Sequence, residues 1–141
     1  MDRKEFLSQI GMGAAGVLFL GCLGGCKKDV PAAPSNVNFT LDLSASANAP
    51  LLTAGGYVYS NNLIIAKSTA GTYLAVSQFC PHEGETVVYQ KTQNDFYCNV
   101  HGSRFASTGT FISGPAGSGL KQYTVTENQT SGVTTSLTIT G

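Results

Sequence analysis

Two cysteine–histidine pairs limit what this chain can fold into more than any other feature. The first is Cys80-Pro81-His82 and the second is Cys98-Asn99-Val100-His101, with residues 83–97 between them. The chain holds two histidines and four cysteines in all, so the pattern takes both histidines. Thiolates and imidazoles grouped in this way are ligands for zinc or for an iron–sulfur centre. Any fold for this sequence must therefore bring two short loops, well separated along the chain, to one point.

The order of the ligands bears on the metal. Zinc sites usually take two cysteines from one loop and two histidines from another. Here each loop offers one of each. That suits a two-iron cluster with cysteine on one iron and histidine on the other, each loop reaching both metals. Two other readings stay open. One is a structural zinc ion. The other is a Cys80–Cys98 disulfide, which an exported protein favours but which leaves the histidine spacing unexplained.

The sequence around the pairs reads as strands. Residues 37–43 (VNFTLDL) alternate apolar and polar, as a half-buried strand does. YVYS and LIIAK flank Asn61-Asn62, a hairpin-turn pair. TYLAVSQF, residues 72–79, runs into the first pair. TVVYQ and DFYC flank KTQN as a second hairpin, and LKQYTVTEN with GVTTSLTIT forms a closing one. No convincing helix follows residue 25. The expected fold is all-β, a small antiparallel sandwich or partly open barrel over residues 37–141. Charged residues are 11% and the net charge is +0, so no basic field exists to hold nucleic acid.

The first thirty residues read differently. Arg3 and Lys4 form a basic head, and residues 11–25 are uncharged and rich in small and apolar residues. The stretch is short for a membrane span and suits a signal peptide over residues 1–25. A buried N-terminal helix is the competing reading, but the stretch has no polar face. LGGC, residues 23–26, resembles a bacterial lipobox, which implies lipidation of Cys26 as the mature N-terminus. FLGC, ending at Cys22, is a poorer match because Phe19 stands where Leu is usual. DRKEFL resembles a twin-arginine signal with Lys4 in place of the second arginine, and that route carries folded, cofactor-loaded proteins. Residues 26–36, with two prolines and small residues, read as a flexible tether. The expected location is the bacterial periplasm or cell envelope, anchored to membrane by lipid. Processing at Cys26 leaves only Cys80 and Cys98 as thiols.

The pattern C-x-H, residues 83–97, then C-x-x-H followed by Gly102-Ser103 resembles the Rieske 2Fe–2S proteins. GPAGSGLKQY, residues 114–123, resembles that family's Gly-Pro-Ala loop and the strand after it. The resemblance covers roughly residues 37–141 and implies a cluster-binding subdomain inserted around residues 78–117. It implies one 2Fe–2S cluster, with Cys80 and Cys98 on the inner iron and His82 and His101 on the outer iron through Nδ1. It also implies that Ser103 hydrogen-bonds a bridging sulfide, where the bland alternative is a turn residue, and that Gly114–Gly117 covers the cluster. Neutral histidine in place of two thiolates raises the reduction potential above that of all-cysteine clusters.

The chain departs from the respiratory members of that family. The two positions that form their extra disulfide hold Glu85 and Val100 here, and Phe105 stands where they have a tyrosine that bonds a ligand sulfur. Fewer donors to sulfur lower the potential. Glu83, where an apolar residue is common, adds negative charge, although Glu83 and Glu85 read most simply as solvated loop charges. These departures argue against quinol oxidation. No histidine is left for a second, two-His-one-carboxylate iron, so the chain is not itself a Rieske oxygenase. It also shows no Gly-x-Ser-x-Gly and no phosphate loop.

The expected function is one-electron transfer as a lipid-anchored exported carrier, ferredoxin-like, with a redox partner protein of its own. The alternative is a Rieske subunit of a larger oxidoreductase, such as a molybdenum oxidase (for example arsenite oxidase) or a cytochrome bc-type complex. A zinc-stabilised interaction domain is the third reading.

Overall fold

The computed structural model describes residues 29–141. The expected signal peptide, Cys22 and Cys26 lie outside the described residues. Ten strands follow in chain order: β1 (Asn38–Asp42), β2 (Tyr57–Ser60), β3 (Leu63–Lys67), β4 (Tyr73–Ser77), β5 (Val88–Gln90), β6 (Asp95–Tyr97), β7 (Arg104–Ala106), β8 (Phe111–Ser113), β9 (Gln122–Thr130) and β10 (Val133–Thr140). They form two antiparallel sheets, one ordered β1-β10-β9-β4-β3-β2 and the other β5-β6-β7-β8. The fold is the expected all-β class.

Local chemistry explains the hairpins. Asn61 and Asn62 have φ of +52° and +63°. Two left-handed residues in a row make the tight turn whose twist matches the strands it joins, and asparagine tolerates that conformation best after glycine. One feature departs from the expectation of no helix: Ser46–Leu52 is a 3₁₀ helix. It carries no side-chain cap, and Pro50 lies inside it. Leu51, fully buried in the core, holds it in place. That is a tertiary contact with no periodic signal in the sequence.

β3 shows why the molecule has two cores. Leu63 and Ile65 pack on one face with Leu137, Ile139, Tyr73 and Tyr123. Ile64 and Ala66 pack on the other with Val76, Phe96, Phe105, Cys80 and Cys98. The run Leu-Ile-Ile-Ala is apolar without alternation because both of its faces are covered. Burying each large side chain contributes about 1.5–3 kcal/mol. The small sheet, built wholly from the segment between β4 and β9, packs on the second face. It therefore lies inside the 78–117 insertion expected from sequence.

The stretch before β1 has contacts that its composition does not suggest. Val37 N–H donates to Gly141 O at 2.7 Å, and Gly141 N–H returns a bond to Val37 O at 3.0 Å. Pro34 O accepts the Tyr123 hydroxyl at 2.7 Å and Lys121 Nζ at 3.1 Å. The described part of the expected tether thus lies against the domain.

Candidate metal centre

The two ligand-bearing loops are conformational twins. In the first, Cys80 N–H donates to Glu85 O at 2.7 Å and Gly84 N–H donates to Cys80 O at 2.9 Å. In the second, Cys98 N–H donates to Ser103 O and Gly102 N–H donates to Cys98 O, both at 2.9 Å. Gly84 and Gly102 close the turns at φ of +78° and +79°, a conformation that glycine reaches without strain. The shared signal is Cys-x-x-x-Gly, present at 80–84 and again at 98–102. This repeat is local and readable in the sequence, although only the cysteine–histidine spacing was singled out above. Strands fix where the twins point. The first follows β4 and is closed by a Phe79–Thr86 bridge; the second joins β6 to β7.

All four candidate ligands come together. Cys80 and Cys98 are completely buried and carry free thiols, so no disulfide joins them. The His82 and His101 rings stand 4.5 Å apart, nearly perpendicular. Nδ1 of His82 is buried with no hydrogen-bond partner. Buried polar atoms are almost always bonded, so a bare imidazole nitrogen next to a second histidine and two buried thiols fits a metal ligand. Burial pushes the Cys80 thiol up; the His82 backbone N–H pulls it down, Cys98 pushes it up again, and the Ser103 hydroxyl pulls it down. A thiolate in so dry a place needs a cation.

The surroundings orient these groups. Glu83 Oε2 lies 3.4 Å from His101 Nε2. A carboxylate at that edge favours the proton on Nε2 and leaves the Nδ1 lone pair free for a metal. Glu83 is the half-exposed loop charge that the sequence suggested, and it also meets His101, a pairing that nothing in its sequence neighbours marks. Ser103 is fully buried, and its Oγ accepts the Ala116 N–H at 3.1 Å, which leaves the hydroxyl hydrogen to donate elsewhere. Gly114 sits so close that a Cβ there would lie 2.5 Å from Ser103 Cα. The Gly114–Gly117 loop thus packs on Ser103. Phe105 is fully buried, edge-on to Phe111 at 6.3 Å, in the core group that includes both cysteines. Val100 is 57% exposed.

Comparison with known proteins agrees with this geometry. Residues 42–124 match the Rieske [2Fe-2S] domain family. The chain is similar to the cytochrome b6-f complex iron-sulfur subunit of Chlorobaculum tepidum, 28% identical over 126 residues that cover 88% of this chain and 70% of that protein. A subunit of the same description from Synechococcus sp. is 26% identical, with 89% and 82% covered. Among solved structures, the fold is similar to the ferredoxin of carbazole 1,9a-dioxygenase from Nocardioides aromaticivorans IC177 (TM-score 0.54, 16% identity, 76% and 98% covered). It is similar also to the plasma membrane Rieske protein of Synechocystis PCC 6803 (TM-score 0.50, 24% identity, 61% and 85% covered). With more than half of its length inside the family match and its buried thiols and histidines converging at one point, this chain belongs to the Rieske [2Fe–2S] family and transfers single electrons through a 2Fe–2S cluster.

Proposed function

We propose that Cys80 and Cys98 hold one iron and His82 and His101 the other, with Ser103 donating a hydrogen bond to sulfur beside them. The observation that carries this assignment is the buried, partnerless Nδ1 of His82 among three other potential ligands. The cluster supplies one-electron chemistry. The chain's residues do the rest. Val87, Phe96, Phe105 and Leu120 exclude water around the thiols. Glu83 orients His101, whose side chain is 29% exposed and is where a redox partner can approach. Purified protein should contain two irons and two inorganic sulfides per chain. Its reduced form should show nitrogen couplings that change in His82→Ala and His101→Ala. Stoichiometric zinc without sulfide would overturn the assignment.

The domain works as an exported carrier tied to membrane through lipid on Cys26. Glu85 and Val100, where a disulfide would stiffen the tip, support a carrier over a quinol-oxidising subunit. No helix among the described residues is long and apolar enough to cross a membrane. Label from a palmitate analogue should depend on Cys26; label lost only in Cys22→Ser would move the anchor. The second reading, a subunit of a larger oxidoreductase, is favoured by the cytochrome b6-f subunits among the relatives. Mild detergent extraction separates the two: a carrier comes out alone, and a subunit brings a stoichiometric partner.

A further inference from the structure

The segment between the expected anchor and the domain runs along the molecule toward the ligand loops. It is held at one end by Val37 and Gly141, then by two bonds to Pro34 O. Three residues further back, Pro31 Cδ lies 2.9 Å from the point where a Cβ on Gly84 would stand, and Asp29 O lies 3.8 Å from that point. Gly84 is the turn glycine of the first ligand loop, so its missing side chain is the seat of Pro31. Between the strap and the domain is a cleft of about 300 Å³, lined by Val30, Pro31, Phe79, Pro81, Ser118 and Lys121. Two prolines stiffen a segment that meets the domain at both ends, around Pro31 and at Pro34.

The direction follows from the sheet. β9 pairs antiparallel with β4 through Ala75–Tyr123 and Val76–Gln122. From Tyr123, β9 runs roughly 23 Å to Thr130, at about 3.3 Å per residue. The chain leaving β4 at Ser77 travels the opposite way, to Cys80. The Ser131–Gly132 turn and the ligand loops are therefore at opposite ends, and the strap leads to the ligand end. From Asp29, three residues reach back to Cys26, at most about 10 Å. An acyl chain on Cys26 would start within about 15 Å of Gly84. Lys27 and Lys28, beside it, add attraction to anionic lipid.

We propose that residues 29–34 are a strap that holds the domain on the membrane with its ligand loops toward the lipid, so that the redox partner works at that surface. This rests on the lipidation of Cys26. A free tether would let the domain turn in any direction; a strap packed from Val37 to Gly84 does not.

The test uses the full, cluster-loaded, lipid-processed protein on vesicles of phosphatidylcholine and phosphatidylglycerol doped with a nickel-chelating lipid. Nitroxide is placed at the ligand end (Thr86→Cys) or at the far turn (Ser131→Cys), both exposed positions. Relaxation of the residue 86 label by headgroup nickel should exceed that of the residue 131 label several-fold. Replacing residues 30–34 by Gly and Ser should bring the two labels toward equality while the protein still floats with the vesicles. Tyr123→Phe with Lys121→Ala, which keeps the core ring, should do the same to a smaller extent. Equal or reversed relaxation in the unmodified strap overturns the orientation and leaves the anchor standing. Protein that does not float with vesicles at all overturns the anchor and the orientation with it.

Discussion

Removing the Ser103 hydroxyl tests the site through a single atom. In the structure that oxygen does two things: it accepts the Ala116 N–H at 3.1 Å, and it stands beside Cys80, where it favours the thiolate. A hydrogen bond to a charged acceptor is worth about 1.5–3 kcal/mol. Only the part that differs between oxidised and reduced states moves the potential, roughly 1 kcal/mol of that. Since tenfold in equilibrium constant is about 1.4 kcal/mol and about 59 mV for one electron, the shift is roughly 40 mV. Its sign is downward, because the reduced state carries the extra negative charge that the donor stabilises. Ser103→Ala also strands the Ala116 N–H, at a cost of about 1 kcal/mol. In a domain of this size that lowers Tm by roughly 4–5 °C. Protein-film voltammetry at one pH reads the first effect and calorimetry of the loaded protein the second. A Tm that falls with an unchanged or raised potential would show that Ser103 only ties down the Gly114–Gly117 loop and sends no hydrogen bond to sulfur.

Phe105→Tyr adds a hydroxyl inside the core group that includes Cys98 and should raise the potential by tens of millivolts; a loss of stability with no rise would mean that the new group finds no sulfur and stays unbonded. Gly114→Ala places a methyl 2.5 Å from Ser103 Cα at φ of +102°. It should cost about 1–3 kcal/mol as overpacking and lower the iron content of purified protein, which metal analysis reads against wild type. Asp95 is 1% exposed and accepts Arg104 Nε at 2.8 Å, tying β6 to β7 at the base of the second loop. Asp95→Ala should cost about 1.5–3 kcal/mol in urea unfolding, with the midpoint shifted and the slope unchanged.

Much of the site is legible because ligand chemistry is local. Cys80, His82, Cys98 and His101 are scarce residue types at fixed spacings, and each pair lies within one turn. The hairpins are legible for the same reason: Asn61-Asn62 carries its turn in its own backbone preference, and β10 and the first half of β9 alternate as half-buried strands do. Gly84, Gly102 and Gly114 all take positive φ at the loops of the site.

What the sequence by itself determined, then, is the ligand set it offers, the β class and the position of the insertion. The tertiary structure alone decided the contacts between residues distant in the chain. Glu83 meets His101, Ala116 meets Ser103, and Pro34 meets Tyr123 across 89 positions. It also placed β1 beside β10 at the sheet edge and buried Leu51 to hold a 3₁₀ helix. Such contacts leave no periodic trace, because each depends on the shape of a surface that forms only when the two sheets pack. The strap is the clearest case. Its prolines and small residues have the composition of a flexible linker, and only the missing side chain at Gly84 and the two donors on β9 and just before it give that linker a surface to lie on.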